Sequence, residues 1–156
     1  MYREMRRKDR QLSDVDALNI LKKGEYGMLA TSDLQNLPYV VPMSYVYVDN
    51  CIYLHCATEG QKLDNIKTNP KVSFCVVGDT KVIPESFGTA FESVILFGTA
   101  EIIQDKQEMV KGLRALVAKY SSDFKALGEE YINKDSGSTR VIKINILHIT
   151  GKNREE

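Results

Sequence analysis

A chain of 156 residues, 43% hydrophobic and 27% charged, has the length and composition of one folded domain, enough to bury roughly 70% of the surface its unfolded form exposes. Its 21 Lys and Arg balance its 21 Asp and Glu, so it lacks the positive excess on which nucleic-acid affinity rests. No apolar run approaches the ~20 residues of a membrane span, the opening MYREMRRKDR has no signal-peptide character, and three cysteines without a C-x-x-C give neither a disulfide framework nor a zinc site; a cytoplasmic protein with no membrane or nucleic-acid partner is expected.

Residues 1–12 are charged and predict a solvated tail, leaving 13–152 as the single domain. Ser13 and Asp16 resemble a capping box. Val15, Leu18, Ile20 and Leu21 follow, and Gly24 is a stop, so a helix is predicted over 14–23. A meander comes next. YGMLAT (26–31) is a short strand, residues 32–37 turn, and PYVVPMSYVYV (38–48) is a long β-branched and aromatic strand. Asp49-Asn50 is a hairpin turn, and CIYLHCA (51–57) returns. Pro42 cannot donate to a sheet ladder, so a bulge or an unpaired edge is expected there. A short helix is predicted over 59–68, ended by Asn69-Pro70, and KVSFCVV (71–77) is the fourth strand. Residues 78–90 hold Pro84 and two glycines and suggest a long loop, although 81–83 could extend the strand. FESVILFGTAEII (91–103) is the fifth strand, with Gly98 marking a bend or a close approach. A helix over 105–120 carries the stripe Met109, Leu113, Leu116, Val117 and Tyr120, and a second helical stretch covers 123–132. Residues 139–150 alternate as the sixth strand. Six strands in meanders with lateral helices predict a mainly β protein, a small antiparallel barrel with helices.

No nucleophile elbow, P-loop or G-x-G-x-x-G is present. Two histidines cannot supply a three-His metal site, and His55 and Cys56, as strand neighbours, face opposite ways, so no metal is expected. The segment from His55 through Cys56, Ala57, Thr58, Glu59 and Gly60 to Gln61 and Lys62 runs from a strand into a helix. Free N–H groups at the helix start, the Thr58 hydroxyl and the Lys62 ammonium form a combination that phosphate favours. A capped helix with a solvated lysine is the plainer account of the same residues. Val41, Pro42, Met43 and Ser44 offer backbone groups freed by the proline beside apolar side chains, where a flat heteroaromatic ring could lie; an edge strand that tolerates proline is the plainer account. His55 can donate a proton or a hydrogen bond near neutral pH, or simply pack on a barrel face. His148 has no assigned role.

The matching pieces GMLATSDLQNLPYVVPMSYVYVDNCIYLHCATEGQKLDNIKTNPKVSFCVV, ESVILFGTAEII and the terminal ITGK, in that order, resemble the pyridoxamine 5'-phosphate oxidase-like family. Its nitroimidazole-resistance branch is the most similar, through a histidine on the third strand and Thr150-Gly151-Lys152. The resemblance implies a six-stranded antiparallel split β-barrel of the FMN-binding type. It implies a homodimer with flavin at the interface: FMN, with FAD as the alternative. Val41, Pro42, Met43 and Ser44 would line the isoalloxazine, and His55, Cys56 and Ala57 would lie beside it. Thr58, Gln61 and Lys62 would hold the phosphate, and Ser93 would approach from the neighbouring subunit. His55 would be the catalytic residue of a flavin-dependent oxidoreductase acting on a small molecule, such as a nitroaromatic. Gln61 stands where pyridoxamine phosphate oxidases carry an arginine, and their basic C-terminal substrate motif is missing, which argues against that reaction. The alternative is a non-catalytic flavin or haem module on the same barrel, with His55 as axial ligand.

Overall fold

The computed structural model describes residues 1–155. Helix α1 (Asp14–Lys23) opens at Ser13, whose hydroxyl oxygen accepts the Asp16 N–H at 3.1 Å. Strands β1 (Gly27–Ser32), β2 (Pro38–Met43), β3 (Val46–Val48) and β4 (Cys51–Cys56) follow. Helix α2 (Gln61–Thr68) precedes the long strands β5 (Lys71–Ile83) and β6 (Gly88–Ile102). Helices α3 (Lys106–Tyr120) and α4 (Lys125–Asp135) lead into β7 (Arg140–Arg154).

The sheet has seven strands in the order β2-β1-β5-β6-β7-β4-β3, antiparallel at every joint. Its two edges, β2 and β3, are consecutive in the chain and joined only by Ser44 and Tyr45. A sheet whose edges are tied by two residues must curl on itself, and the fold is a split β-barrel. The seventh strand arises because the predicted strand over 38–48 is two strands. Tyr45 turns its side chain into the core, fully buried, and its hydroxyl donates to the Leu21 carbonyl. Pro42 sits on β2, an edge strand paired only with β1, where sheets tolerate proline, and the register runs through it unbroken opposite Met28.

The barrel interior is one cluster that includes Leu21, Leu29, Tyr45, Ile52, Leu54, Phe74, Leu96, Ile142 and Ile144. A second cluster, with Tyr53, Leu113, Leu116, Ile132 and Val141, seats α3 and α4 on the outside of β3, β4 and β7. Asp49 and Asn50 both take positive φ, 50° and 62°, as a two-residue hairpin turn requires. At Gly98 a Cβ would lie 2.2 Å from the Asn145 carbonyl oxygen, and the β6–β7 register shifts there, so the expected bend is a close approach between backbones.

The segment expected as a loop over 78–90 is mostly sheet. After a shift in register between Val77 and Thr80, β5 and β6 continue as an exposed two-stranded arm that closes through Pro84–Ser86. The N-terminal residues are charged and largely exposed, yet they dock: the Leu12 N–H donates to the Gly151 carbonyl at 2.9 Å, and Tyr2 stacks on His148 and Phe97 at 4.8 and 5.0 Å. No helix among the described residues is long and apolar enough to cross a membrane.

Candidate functional site

The site forms where β4 outruns β3. Val46 pairs with Tyr53, and beyond that point Leu54, His55 and Cys56 pair only with Ile142, Val141 and Arg140 of β7. The free side of β4 faces the chain as it leaves β2 at Ser44, so Ser44 and His55 border the same cavity. Strand alternation sends Val41, Met43 and Cys56 inward against the barrel core, while Pro42 and His55 point outward.

The cavity holds about 490 Å3. Its walls are Leu113, Leu116, Val117 and Tyr120 of α3 and Leu127, Tyr131 and Ile132 of α4, with Phe124 between the helices and His55 and Ser44 at the polar end. No Lys, Arg, Asp or Glu lines it. Part of the His55 ring is in solvent and the rest is buried, and that burial lowers its pKa from the ordinary imidazole value. His55 is therefore neutral at pH 7 and offers one N–H and one lone pair.

The strand-to-helix segment follows directly from His55. Gly60 caps α2 with φ of 153°, which favours glycine, and no side chain caps the helix, so its first N–H groups are open. A Cβ on Gly60 would lie 3.9 Å from the Lys62 Nζ, so the ammonium lies over the helix start. Thr58 and Gln61 are exposed beside it. Two amides fix the helix: Asn65 Nδ2 donates to the Thr31 hydroxyl at 3.0 Å and Asn69 Nδ2 to the Ser32 hydroxyl at 2.9 Å. They tie α2 to the end of β1, the strand that pairs with β2.

Arg140 is the residue the sequence reading missed. It opens β7 directly across from Cys56, and no local motif marks it; only the β4–β7 pairing brings it here. Burial raises the Cys56 thiol pKa, while the positive charges of Lys62 and then Arg140 pull it down. Among the described residues neither cation has a carboxylate partner. Two unpaired cations, open helix N–H groups and a hydroxyl together make an anion cradle.

The structure thus places Ser44 and His55 on the α3–α4 cavity and Thr58, with Arg140, on a separate hollow beside α2; Cys56 turns inward near Lys62 and Arg140, and Val41, Pro42 and Met43 lie on the strand that ends at Ser44. Ser93 is elsewhere. It pairs with Lys152, eleven positions along β7 from the partner of His55, about 35 Å of strand. There Ser93, Ile95, Phe97, His148, Thr150 and Lys152 line a separate hollow of about 270 Å3, roofed by Arg3 and Met5.

A curled antiparallel sheet split between β2 and β3 defines the class, a split-barrel protein. The profile of the pyridoxamine 5'-phosphate oxidase family matches residues 16–153, and the chain belongs to that family. No curated relative matches the chain. Among solved structures it is similar to a candidate 5-nitroimidazole antibiotic resistance protein of Bacteroides thetaiotaomicron (23% identity, 91% of this chain and 85% of that one, TM-score 0.73). A FAD-binding protein of Mesorhizobium loti is 24% identical over 94% of this chain and 98% of that one (TM-score 0.64). A FAD- and haem-binding protein of Mycobacterium smegmatis is 18% identical over 94% and 74% (TM-score 0.75).

Proposed function

We propose that this protein binds a flavin nucleotide and works as an oxidoreductase on small uncharged molecules. The observation that carries the reading is the anion cradle of Thr58, Lys62 and Arg140 at the end of β4, the strand whose His55 lines a cavity with no charged wall. A ligand with a phosphate at one end and a flat apolar body at the other matches that sequence of surfaces. The FAD-binding proteins among the similar structures support it.

In this reading Lys62, Thr58 and Gln61 hold the phosphate. Backbone groups of Val41, Pro42, Met43 and Ser44 meet the ring edge, with His55, Cys56 and Ala57 alongside. Ser93 reaches the site from a second subunit, and the protein is a cytoplasmic homodimer. Bound flavin, FMN at the least, supplies the two-electron chemistry. His55, the catalytic residue, offers its N–H to an acceptor lying in the α3–α4 cavity. That cavity has no cation to hold a substrate phosphate, which fits a nitroaromatic or similar neutral acceptor and counts against pyridoxamine phosphate.

The test is direct. Adding FMN to the purified protein should give bound oxidised flavin, and Lys62→Ala should weaken it by roughly tenfold, the worth of one charge-assisted contact. No bound flavin rejects the reading; unchanged affinity in the variant removes Lys62 from it. One observation favours a second reading: a neutral imidazole at the mouth of an apolar, tyrosine-rich cavity also suits haem. A Soret band on haem addition, lost in His55→Ala, would support that module instead.

A further inference from the structure

Beyond Val77 the paired strands β5 and β6 leave the barrel. β7 ends at Arg154, opposite Phe91, so from Thr80 to Ala90 the two strands have only each other. A free two-stranded ribbon is marginal in water, and this one is shaped to reach outward. The register shift after Val77 re-aims it, and the Arg154 guanidinium lies along it as far as Gly88. At its tip Phe87 holds a φ of 52°, a left-handed conformation that bulky side chains rarely adopt, and it is 98% exposed. Val82, on the flank of the arm, is exposed as well.

We propose that this arm is a clasp on a second copy of the chain, and that its Phe87 closes the rim of that copy's α3–α4 cavity. The proposal rests on the homodimer reading above and names a residue that the second copy adds to the site. Register supplies the reach. Ile95 and Phe97 are exposed apolar side chains on the outer face of β6, and they pair with Thr150 and His148 of β7. Seven residues of β6 separate Ile95 from Gly88, and nine of β7 separate Thr150 from Val141, which pairs with His55; from Phe97 and His148 the separations are nine and seven. The middle of this apolar face is therefore as far from the arm tip as from the level of His55, about 26 Å of strand each way. A two-fold axis in the plane of that face, running across the strands, exchanges the two levels. Helices α3 and α4 sit on β7 and β4, immediately beside β6 in the sheet, so each arm tip arrives along the flank of the other chain's helices. The rim there is apolar: Phe124, Leu127 and Tyr131 line the cavity and are all exposed. An exposed phenyl ring and an exposed apolar rim, brought together, take each other out of water.

The chain has no tryptophan, so Phe87→Trp installs a single fluorescent reporter at the tip. In the dimer its emission should be shifted to the blue and shielded from iodide. Adding Ile95→Glu, which sets a charge on the apolar face and separates the copies, should abolish both effects. The seat of the tip is read by air oxidation of the double variant Phe87→Cys/Leu127→Cys, which should give a disulfide-linked species of twice the chain mass that neither single variant gives. The two positions lie at opposite ends of one chain's barrel, so a bond between them has to join two chains. A protein that sediments as a dimer while its indole stays exposed, or whose double variant forms no link, overturns the clasp and leaves the homodimer reading standing. A link formed by Phe87→Cys alone overturns the rim as the seat. A native protein that sediments as one chain rejects the clasp and the homodimer together.

Discussion

The burial that lowers the His55 pKa also decides what the side chain can do. A neutral imidazole at pH 7 is a poor standing source of protons and a good fixed N–H donor. His55→Ala is therefore expected to slow reduction of an acceptor by up to about tenfold, the net value of one neutral hydrogen bond. His55→Gln, which keeps an N–H, should restore most of it. The native rate should stay level as pH rises from neutrality. A rate that climbs as pH falls through the His55 pKa, with both variants losing 100-fold or more as loss of a general acid does, would show proton transfer instead. His55 and Lys62 could be read from the chain because each sits in one short strand-to-helix segment, where spacing alone says what faces what. Arg140 could not. Nothing around it announces a ligand, and its place opposite Cys56 exists only once β7 has paired with β4.

The split in the barrel is an element-scale device, and distant parts of the chain hold it open. At the break between β2 and β3 the Tyr45 N–H donates to the Tyr120 hydroxyl at 2.9 Å, and the Lys119 ammonium donates to the carbonyls of Tyr45 and Gly24 at 2.8 and 2.6 Å. The same ammonium lies 3.8 Å from the Tyr45 ring centre, a cation–π geometry. These partners sit some 75 residues down the chain, so the run PYVVPMSYVYV looks unbroken in sequence. The β5–β6 arm was missed for a related reason. Pro84, Gly78 and Gly88 are loop residues by composition, and only cross-strand pairing makes their neighbours sheet. Elements set locally, α1 by its Ser13 cap and α3 by its apolar stripe, were legible to within a residue at each end. Lys119 gives the break a pH signature. Burial lowers its pKa from 10.5 to about 8. Between those values the unfolded chain holds the proton that the folded one has released, so stability rises with pH there. Urea midpoints at roughly pH 7 and pH 9.5, which bracket the folded value, should show that rise in the native protein and a smaller one in Lys119→Met. The variant should also lose about 1–3 kcal/mol at neutral pH, because it leaves carbonyls at the break without their donor. An equal rise in both proteins would assign the pH dependence to other groups.

At the scale of the whole molecule, the outer face of the barrel is not finished. Register places Pro42, Met28, Cys75, Ile95 and Thr150 in one row across the sheet, and Val40, Ala30, Ser73, Phe97 and His148 in the next. Val40, Met28, Ile95 and Phe97 on those rows are exposed by 62, 39, 44 and 39%. Tyr2 covers only the Phe97–His148 end. A contiguous apolar face of this kind on a folded domain is characteristic of an interface, and a second copy related by a two-fold axis is the simplest cover because it presents the same rows in reverse. Ser93, Thr150 and Lys152 border these rows but lie far along β7 from Lys62, so in the proposed site Ser93 would meet the flavin only from a neighbouring chain. Assembly and ligand binding should then fail together. The native protein should sediment at twice the chain mass, and Ile95→Glu, which sets a charge in the middle of the patch, should sediment as a single chain and bind flavin weakly. The barrel core should be untouched, because Ile95 faces away from it while Val94 and Leu96 are buried, so the variant should keep its thermal unfolding transition. A native monomer that binds flavin as tightly as any dimer would show that one chain completes the site, and the role of Ser93 would fall with the dimer.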